Sequence, residues 1–411
     1  MRIAIIGAGR VGKTLGEGFT RAGHTVSYAT RDSVAQTVRG AEVAVLTTPW
    51  DAVDSALDAA GDFGGRPLID VTNPIGAGFA LALGHTTSGG EHVAARAKGA
   101  RVVKAFNTTG MENMANPRYG EHRLMMPVAG DDPQAVEVGV ELARGLGFAP
   151  VALPKLARAR ELEPFALVWI KLAMQWGQGR DIGFALARRD AAAARPTDVS
   201  ARGPRRTIAI VGAGHIGGAL ARGWLAAGHR VQIATRDPQA ADVAALVGRG
   251  ATAVPIAGAA ERADVVAFAI PAGAVIETAR AMGNLAGKIV IDCTNAIAKG
   301  FALQYGLATS ASEELAKALP GARVVRSFNQ QGAEVLDDPV FGGLRAVDLV
   351  AADDAEARAA VVALGKDLGL DAIEAGPLAS SRLLDPITLL WVALSQTLGT
   401  RDFALTLLRR H

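Results

Sequence analysis

Residues 212–229 read GAGHIGGALARGWLAAGH, and residues 7–24 read GAGRVGKTLGEGFTRAGH. An apolar run precedes each stretch, TIAIV in one case and RIAII in the other, and each closes on the same Gly-His. The correspondence continues to the ATRD that ends at Asp32 and Asp237, with more than half of the positions recurring at one offset of 205. Chance does not hold a single register over that length, so the chain carries an internal duplication.

Further along, the offset lengthens to 222. DVTNPIGAGFAL from Asp70 matches DCTNAIAKGFAL from Asp292, VVKAFNTTGME from Val102 matches VVRSFNQQGAE from Val324, and ELEPFALVW from Glu161 matches LLDPITLLW from Leu383. The expected domains are a first repeat over 1–195, a linker over 196–205 in a small, polar, Pro- and Gly-bearing stretch, and a second repeat over 206–411. The 17-residue step falls between Asp32 and Glu42, so the first repeat is expected to lack the helix and short strand that the second writes as DPQAADVAALVGRGATAVPI. Within each repeat, short apolar runs alternate with helical patterns, which predicts an α/β fold: two tandem doubly wound parallel sheets, each followed by a short helical tail.

Half the residues are hydrophobic and a fifth charged, with 43 basic against 40 acidic for a net +3. That balance describes an ordinary globular chain and argues against a nucleic-acid partner. The single cysteine, Cys293, excludes an internal disulfide and suits a reducing compartment. Strand-like RIAIIG begins at Arg2, which leaves no room for a leader, so a cytoplasmic location is expected. The most membrane-like stretch, PFALVWIKLAMQW from Pro164, is broken by Lys171 and falls short of the roughly 20 apolar residues a span requires. No HExxH or clustered metal-ligand motif occurs, so no metal is expected.

GAGRVG and GAGHIG satisfy G-x-G-x-x-G between a strand and a helix, the context that distinguishes a dinucleotide cradle from a chance match. Gly7 and Gly212 are expected to make the tight turn, Gly9 and Gly214 to admit the pyrophosphate, and Gly12 and Gly217 to let helix pack on strand. Arg10, Val11, His215 and Ile216 then supply amides at the helix N-terminus, where the dipole favours an anion. At the end of the second strand, Thr30 with Arg31 and Thr235 with Arg236 read as a hydroxyl and guanidinium cradle for a 2′-phosphate, which favours NADP(H) over NAD(H). Thr48, Pro49, Ile270 and Pro271 after the next strand, with Asn73 and Asn295 beyond, lie where ligands bind at the carboxyl edge of such sheets. KAFN and RSFN place Asn107 and Asn329 as candidate substrate-orienting amides, with Trp50 as a further candidate catalytic residue and strand-end capping as the alternative for the asparagines. His24 and His229 follow a helix-ending glycine and are expected to be structural.

Taken together, GAGxxG, ATRD, TTPWDAV, DVTNP and VVKAFNTTGMENM resemble the NADP-dependent oxidoreductases of the coenzyme F420 reductase family over essentially all of both repeats. The resemblance implies a Rossmann-type domain per repeat and hydride transfer between NADP(H) and a deazaflavin (coenzyme F420) or flavin-like acceptor. It also implies that the tails Glu161–Arg189 and Leu383–Arg410 pack across the opposite copy, making the chain a pseudo-dimer that is open to further oligomerisation. The copies diverge, Ala272 replacing Trp50 and Ala296 replacing Pro74. The sites are therefore expected to be unequal, with the fuller nucleotide cradle in the second repeat and the more family-like catalytic face in the first. Two alternatives stay open: an imine or carbonyl reductase of a small metabolite, for which Lys104, Tyr119 or Glu112 is the available proton donor, and a non-catalytic NADPH sensor.

Overall fold

The computed structural model describes residues 1–189 and 203–410. Most of the linker expected at 196–205 therefore lies outside the described residues. The chain divides into two compact units, the first holding Met1–Ala185 with the closing residues from Leu408, the second holding Leu186–Leu407. Across the first sheet the strands run Thr25–Ala29, Arg2–Ile6, Val43–Leu46, Pro67–Asp70, Arg101–Lys104, Met125–Gly130 and Ala149–Pro154. In the second sheet the order is Thr252–Pro255, Arg230–Thr235, Thr207–Val211, Val265–Phe268, Ile289–Asp292, Arg323–Arg326, Val347–Ala352 and Asp371–Glu374. Each central strand is a continuous apolar run because helices cover both faces: all of Thr207–Val211 and all of Val43–Leu46 are buried.

The sheets depart from the all-parallel expectation in one respect. The strand after the KAFN segment runs antiparallel to its neighbour, with Val103 opposite Gly130, and Val325 likewise opposes Ala352. Between them the chain makes only a five-residue helix, Met111–Ala115, and a small hairpin. With no long crossover to carry it back, the chain re-enters the sheet from the end at which it left.

The second sheet has the edge strand Thr252–Pro255, parallel to Arg230–Thr235, and the first sheet has no partner there. The expected loss of the helix does not hold: the first repeat keeps a short one, Val34–Gly40, anchored by buried Val34 and Val38 one turn apart, and only the strand is missing. Its strand Thr25–Ala29 is thus a mostly exposed edge, where Tyr28 lies over Gly16; a Cβ on Gly16 would come within 2.2 Å of the Tyr28 hydroxyl.

Candidate functional site

The two glycine turns have matching geometry. Gly7 and Gly212 sit at φ 110° and 101°, values that side-chain-bearing residues rarely adopt. A Cβ on Gly12 would stand 2.0 Å from the Gly7 carbonyl oxygen, and one on Gly217 1.9 Å from that of Gly212, so only glycine lets the helix start so close to the strand. Gly9 and Gly214 differ, since a Cβ on either would meet no protein atom within 4 Å. Packing does not explain those two glycines, whereas the approach of a ligand backbone-on does. They cap the helices Arg10–Arg21 and His215–Ala226, whose first-turn amides Arg10, Val11, His215 and Ile216 supply.

At the ribose end, Thr30 is drawn into its own turn: its hydroxyl lies 2.7 Å from Ser33 Oγ, and its amide donates to the same atom. Asp237 N donates to the Thr235 hydroxyl in the matching turn. Arg31 and Arg236 are exposed, with no hydrogen bond or ion pair to another described residue. Thr235 and Arg236 line a cavity of about 470 Å³, together with Gly212, Ile256, Ile270 and Pro271. Ile256 comes from the segment that the first repeat lacks. These residues suit a phosphorylated dinucleotide: an open glycine approach, helix amides, and guanidinium groups with no internal anion to satisfy. In the first repeat the Thr48 hydroxyl is buried beside the glycine turn without a hydrogen-bond partner.

Pro49 and Pro271 each open a short 3₁₀ turn, Trp50–Ala52 and Ala272–Ala274. The asparagines do not face an open crevice as expected. Asn107 Nδ2 donates to Asn73 Oδ1 at 3.0 Å while Asn73 Nδ2 donates to the Asn107 carbonyl at 2.9 Å. Asn295 and Asn329 repeat the exchange at 3.2 and 3.3 Å, and Thr388 Oγ1 donates to the Asn329 carbonyl. Both KAFN-type asparagines are buried, and the residue before each, Phe106 or Phe328, is held at positive φ, 62° and 59°. Each pair is a lock between two strand ends, although Asn107 Oδ1 remains without a hydrogen bond. Trp50, the third candidate, packs its indole 5.4 Å from the His92 ring, and a Cβ on Gly89 would stand 3.1 Å from it.

The proposed proton donors are committed elsewhere. Lys104 is fully buried, with Nζ 2.9 Å from Asp70 Oδ2 and 2.8 Å from Glu163 Oε1, and donates to the Thr72 carbonyl as well. Burial opposes its charge, but the two carboxylates outweigh burial and hold its pKa above the ordinary lysine value. Tyr119 donates to Asn113 Oδ1 at 2.7 Å. Glu112 accepts two hydrogen bonds from Arg180, and its counterpart Glu334 two from Arg401. His229 sits between the Arg206 amide and Asp367, and His24 lies 3.2 Å from the N-terminal amine, both structural placements.

Residue-by-residue reading of the sequence missed the buried ion triad Asp70–Lys104–Glu163 and its counterpart Asp292–Arg326–Asp385. The signal was available, since all three positions are charged in both repeats while lying inside otherwise apolar runs. Glu163 also accepts from the Gly89 and Gly90 amides, so the tail helix Ala159–Met174 is tied to a strand end and a helix start of its own unit.

Among the described residues no helix is long and apolar enough to cross a membrane, and no group of three or more His, Cys, Asp or Glu is placed to hold a metal ion. Among similar known proteins, three each match less than half of this chain. Rat metalloreductase STEAP3 is 29% identical over 182 residues, covering 40% of this chain and 36% of its own, so the chain spans about a third of that relative. A solved Arthrobacter sp. FB24 structure, labelled a candidate F420-dependent NADP reductase, is 29% identical at TM-score 0.45, covering 48% of this chain and 96% of its own. A Sinorhizobium meliloti structure of no stated function is 33% identical at TM-score 0.39, covering 43% and 87%. Residues 207–296, within the second repeat, match the family described as NADP oxidoreductase, coenzyme F420-dependent, and in that segment the chain is similar to NADP-dependent oxidoreductases.

Proposed function

We propose that the chain transfers a hydride between NADP(H) and a flavin or deazaflavin ring. One observation carries the reading of the cofactor: Arg236, free of internal partners, borders a cavity that also contains the glycine turn and the Pro271 turn. When bound, the cofactor supplies the hydride. The chain's own part is to seat the pyrophosphate on the amides after Gly9 and Gly214, to grip the 2′-phosphate with Arg31 and Arg236, and to bring Thr48, Pro49, Ile270 and Pro271 against the rest of the dinucleotide. The paired asparagines Asn73–Asn107 and Asn295–Asn329 serve as positioning residues that hold two strand ends together at the carboxyl edge.

A direct transfer to a ring acceptor is favoured over imine or carbonyl reduction because Lys104, Tyr119 and Glu112 are each spent on internal partners, whereas ring-to-ring hydride transfer makes little demand on a protein acid. The experiment is NADPH oxidation followed at 340 nm with FMN, a 5-deazaflavin, a cyclic imine or a ketone as acceptor. Turnover with a flavin-type ring supports the reading, and turnover with only the imine or ketone replaces it.

A further inference from the structure

The two repeats differ beside the turn that follows Pro49 and Pro271. In the second repeat a cavity of about 160 Å³ opens between Ala272, the strand-end segment Asp292–Ala296 and the helix Ala311–Ala318. The matched positions of the first repeat hold Trp50 for Ala272, Pro74 for Ala296 and His92 for Glu314. There the space is taken: a Cβ on Gly89 would stand 3.1 Å from the Trp50 indole and 3.0 Å from Pro74 Cδ. The exchange of an indole for a methyl group is what separates a filled site from an open one.

The opening is also differently equipped. Gln304 and Tyr305 line it, and neither side chain makes a hydrogen bond to another described residue. The first repeat has Ala82 and Leu83 at those positions, so it lacks both the room and the polar groups. Asp292 also borders the cavity, but its oxygens are already used by Thr294, Ser312 and Arg326. The rest of the wall mixes apolar Val275, Ile276 and Leu315 with Thr294 and with Glu314, whose carboxylate already accepts from Thr309 and Lys317. A cavity of about 150 Å³ has the volume to take a single benzene-sized ring. An amide and a phenol that each donate and accept call for a ring edge carrying both carbonyl and N–H groups.

Ala272 and Ala274 lie on one short turn, the first lining this cavity and the second lining the larger one that contains Arg236. We infer that the second repeat seats the pyrimidinedione end of a flavin or deazaflavin in the pocket bounded by Ala272, Gln304 and Tyr305, and that Trp50 plugs the equivalent place in the first repeat. The inference rests on the proposed flavin-type acceptor and assigns it to one repeat.

Quenching of FMN and 5-deazariboflavin fluorescence, titrated with the full chain in the presence of NADP⁺, tests it, while NADP⁺ binding is measured separately by calorimetry. The expected result is one ring site per chain, weakened at least about tenfold in Ala272→Trp with NADP⁺ affinity unchanged, and weakened several-fold in Tyr305→Phe and Gln304→Ala, which keep the ring-sized space should the tryptophan variant fail to fold. Ring binding that survives Ala272→Trp and is lost in Trp50→Ala would overturn the assignment and move the site to the first repeat. No quenching by a chain that binds NADP⁺ would also overturn it and leave the cofactor reading standing, whereas absence of NADP⁺ binding would remove that reading instead.

Discussion

Lys104 Nζ lies 2.8 Å from Glu163 Oε1, and at the matched place in the second repeat Arg326 Nη2 lies 2.7 Å from Asp385 Oδ1. A short cation with a long anion has been exchanged for a long cation with a short anion, and the ion-pair distance is kept. Both cations are fully buried and share a second carboxylate, Asp70 or Asp292, so the triad spans two strand ends and the tail helix. Removing one member of such a group leaves a buried charge uncompensated, which is far costlier than the pair's net contribution.

The compensation predicts a strongly non-additive cycle. Lys104→Arg alone overfills the gap and Glu163→Asp alone underfills it, so each is expected to cost about 2–4 kcal/mol, while the double variant restores the ion pair and should lose clearly less than the sum, the remainder reflecting the Gly89 and Gly90 amides that Glu163 also serves. Urea unfolding of the four proteins measures the cycle, and additive losses would contradict the length-matching account.

The glycines separate packing from ligand approach. Gly9→Ala and Gly214→Ala place a methyl where no protein atom lies within 4 Å, so thermal stability should stay within about 0.5 kcal/mol while NADPH affinity falls. Gly12→Ala and Gly217→Ala drive a methyl against a carbonyl oxygen about 2 Å away and should instead destabilise the fold itself. Differential scanning calorimetry with and without NADPH distinguishes the two classes.

Phe79 and Phe301 occupy matching hairpin tips at φ 54° and 58°, and the two residues are 39% and 57% exposed. A bulky residue in this region costs roughly 1 kcal/mol that the exposed ring does not recover by burial. Phe301→Asn, which tolerates the conformation, should leave stability unchanged or raise it by up to about 1 kcal/mol in urea unfolding. A loss above that size would mean the ring packs on something that its exposure does not reveal.

Glu161 is buried, and burial raises its pKa from 4.5 to about 7. A folded-state pKa above the unfolded value means that the folded chain holds the proton more tightly. Its contribution to stability is therefore greatest below about pH 4.5 and is lost as pH rises to about 7. The second repeat has Leu383 at that position. Glu161→Leu should raise stability at pH 8 by about 2 kcal/mol and flatten the stability profile between those limits, as read from unfolding midpoints across pH.

Much of the fold was legible because the decisive signals are local. The glycine turns, the apolar strands and the missing edge strand follow from runs and offsets along the chain, and Asp32 to Glu42 located the shortened segment directly. What the sequence hid depends on contacts between distant segments. Asn107 read as facing a crevice because it closes a strand, but its amide is claimed by Asn73 across the sheet edge. Lys104 reads from the sequence as an available proton donor, and only packing reveals the two carboxylates around it. The antiparallel turn of the strand Met125–Gly130 was equally hidden, since an apolar run carries no direction.

The central claim is that Arg236 grips the 2′-phosphate of a bound dinucleotide. Calorimetric titration of the purified chain with NADPH and NADH, for the parent and Arg236→Ala, tests it most directly. The account predicts saturable NADPH binding, tighter than NADH, with the preference reduced about tenfold or more in the variant. Equal or tighter binding of NADH by the parent would contradict it, as would the absence of heat with either nucleotide.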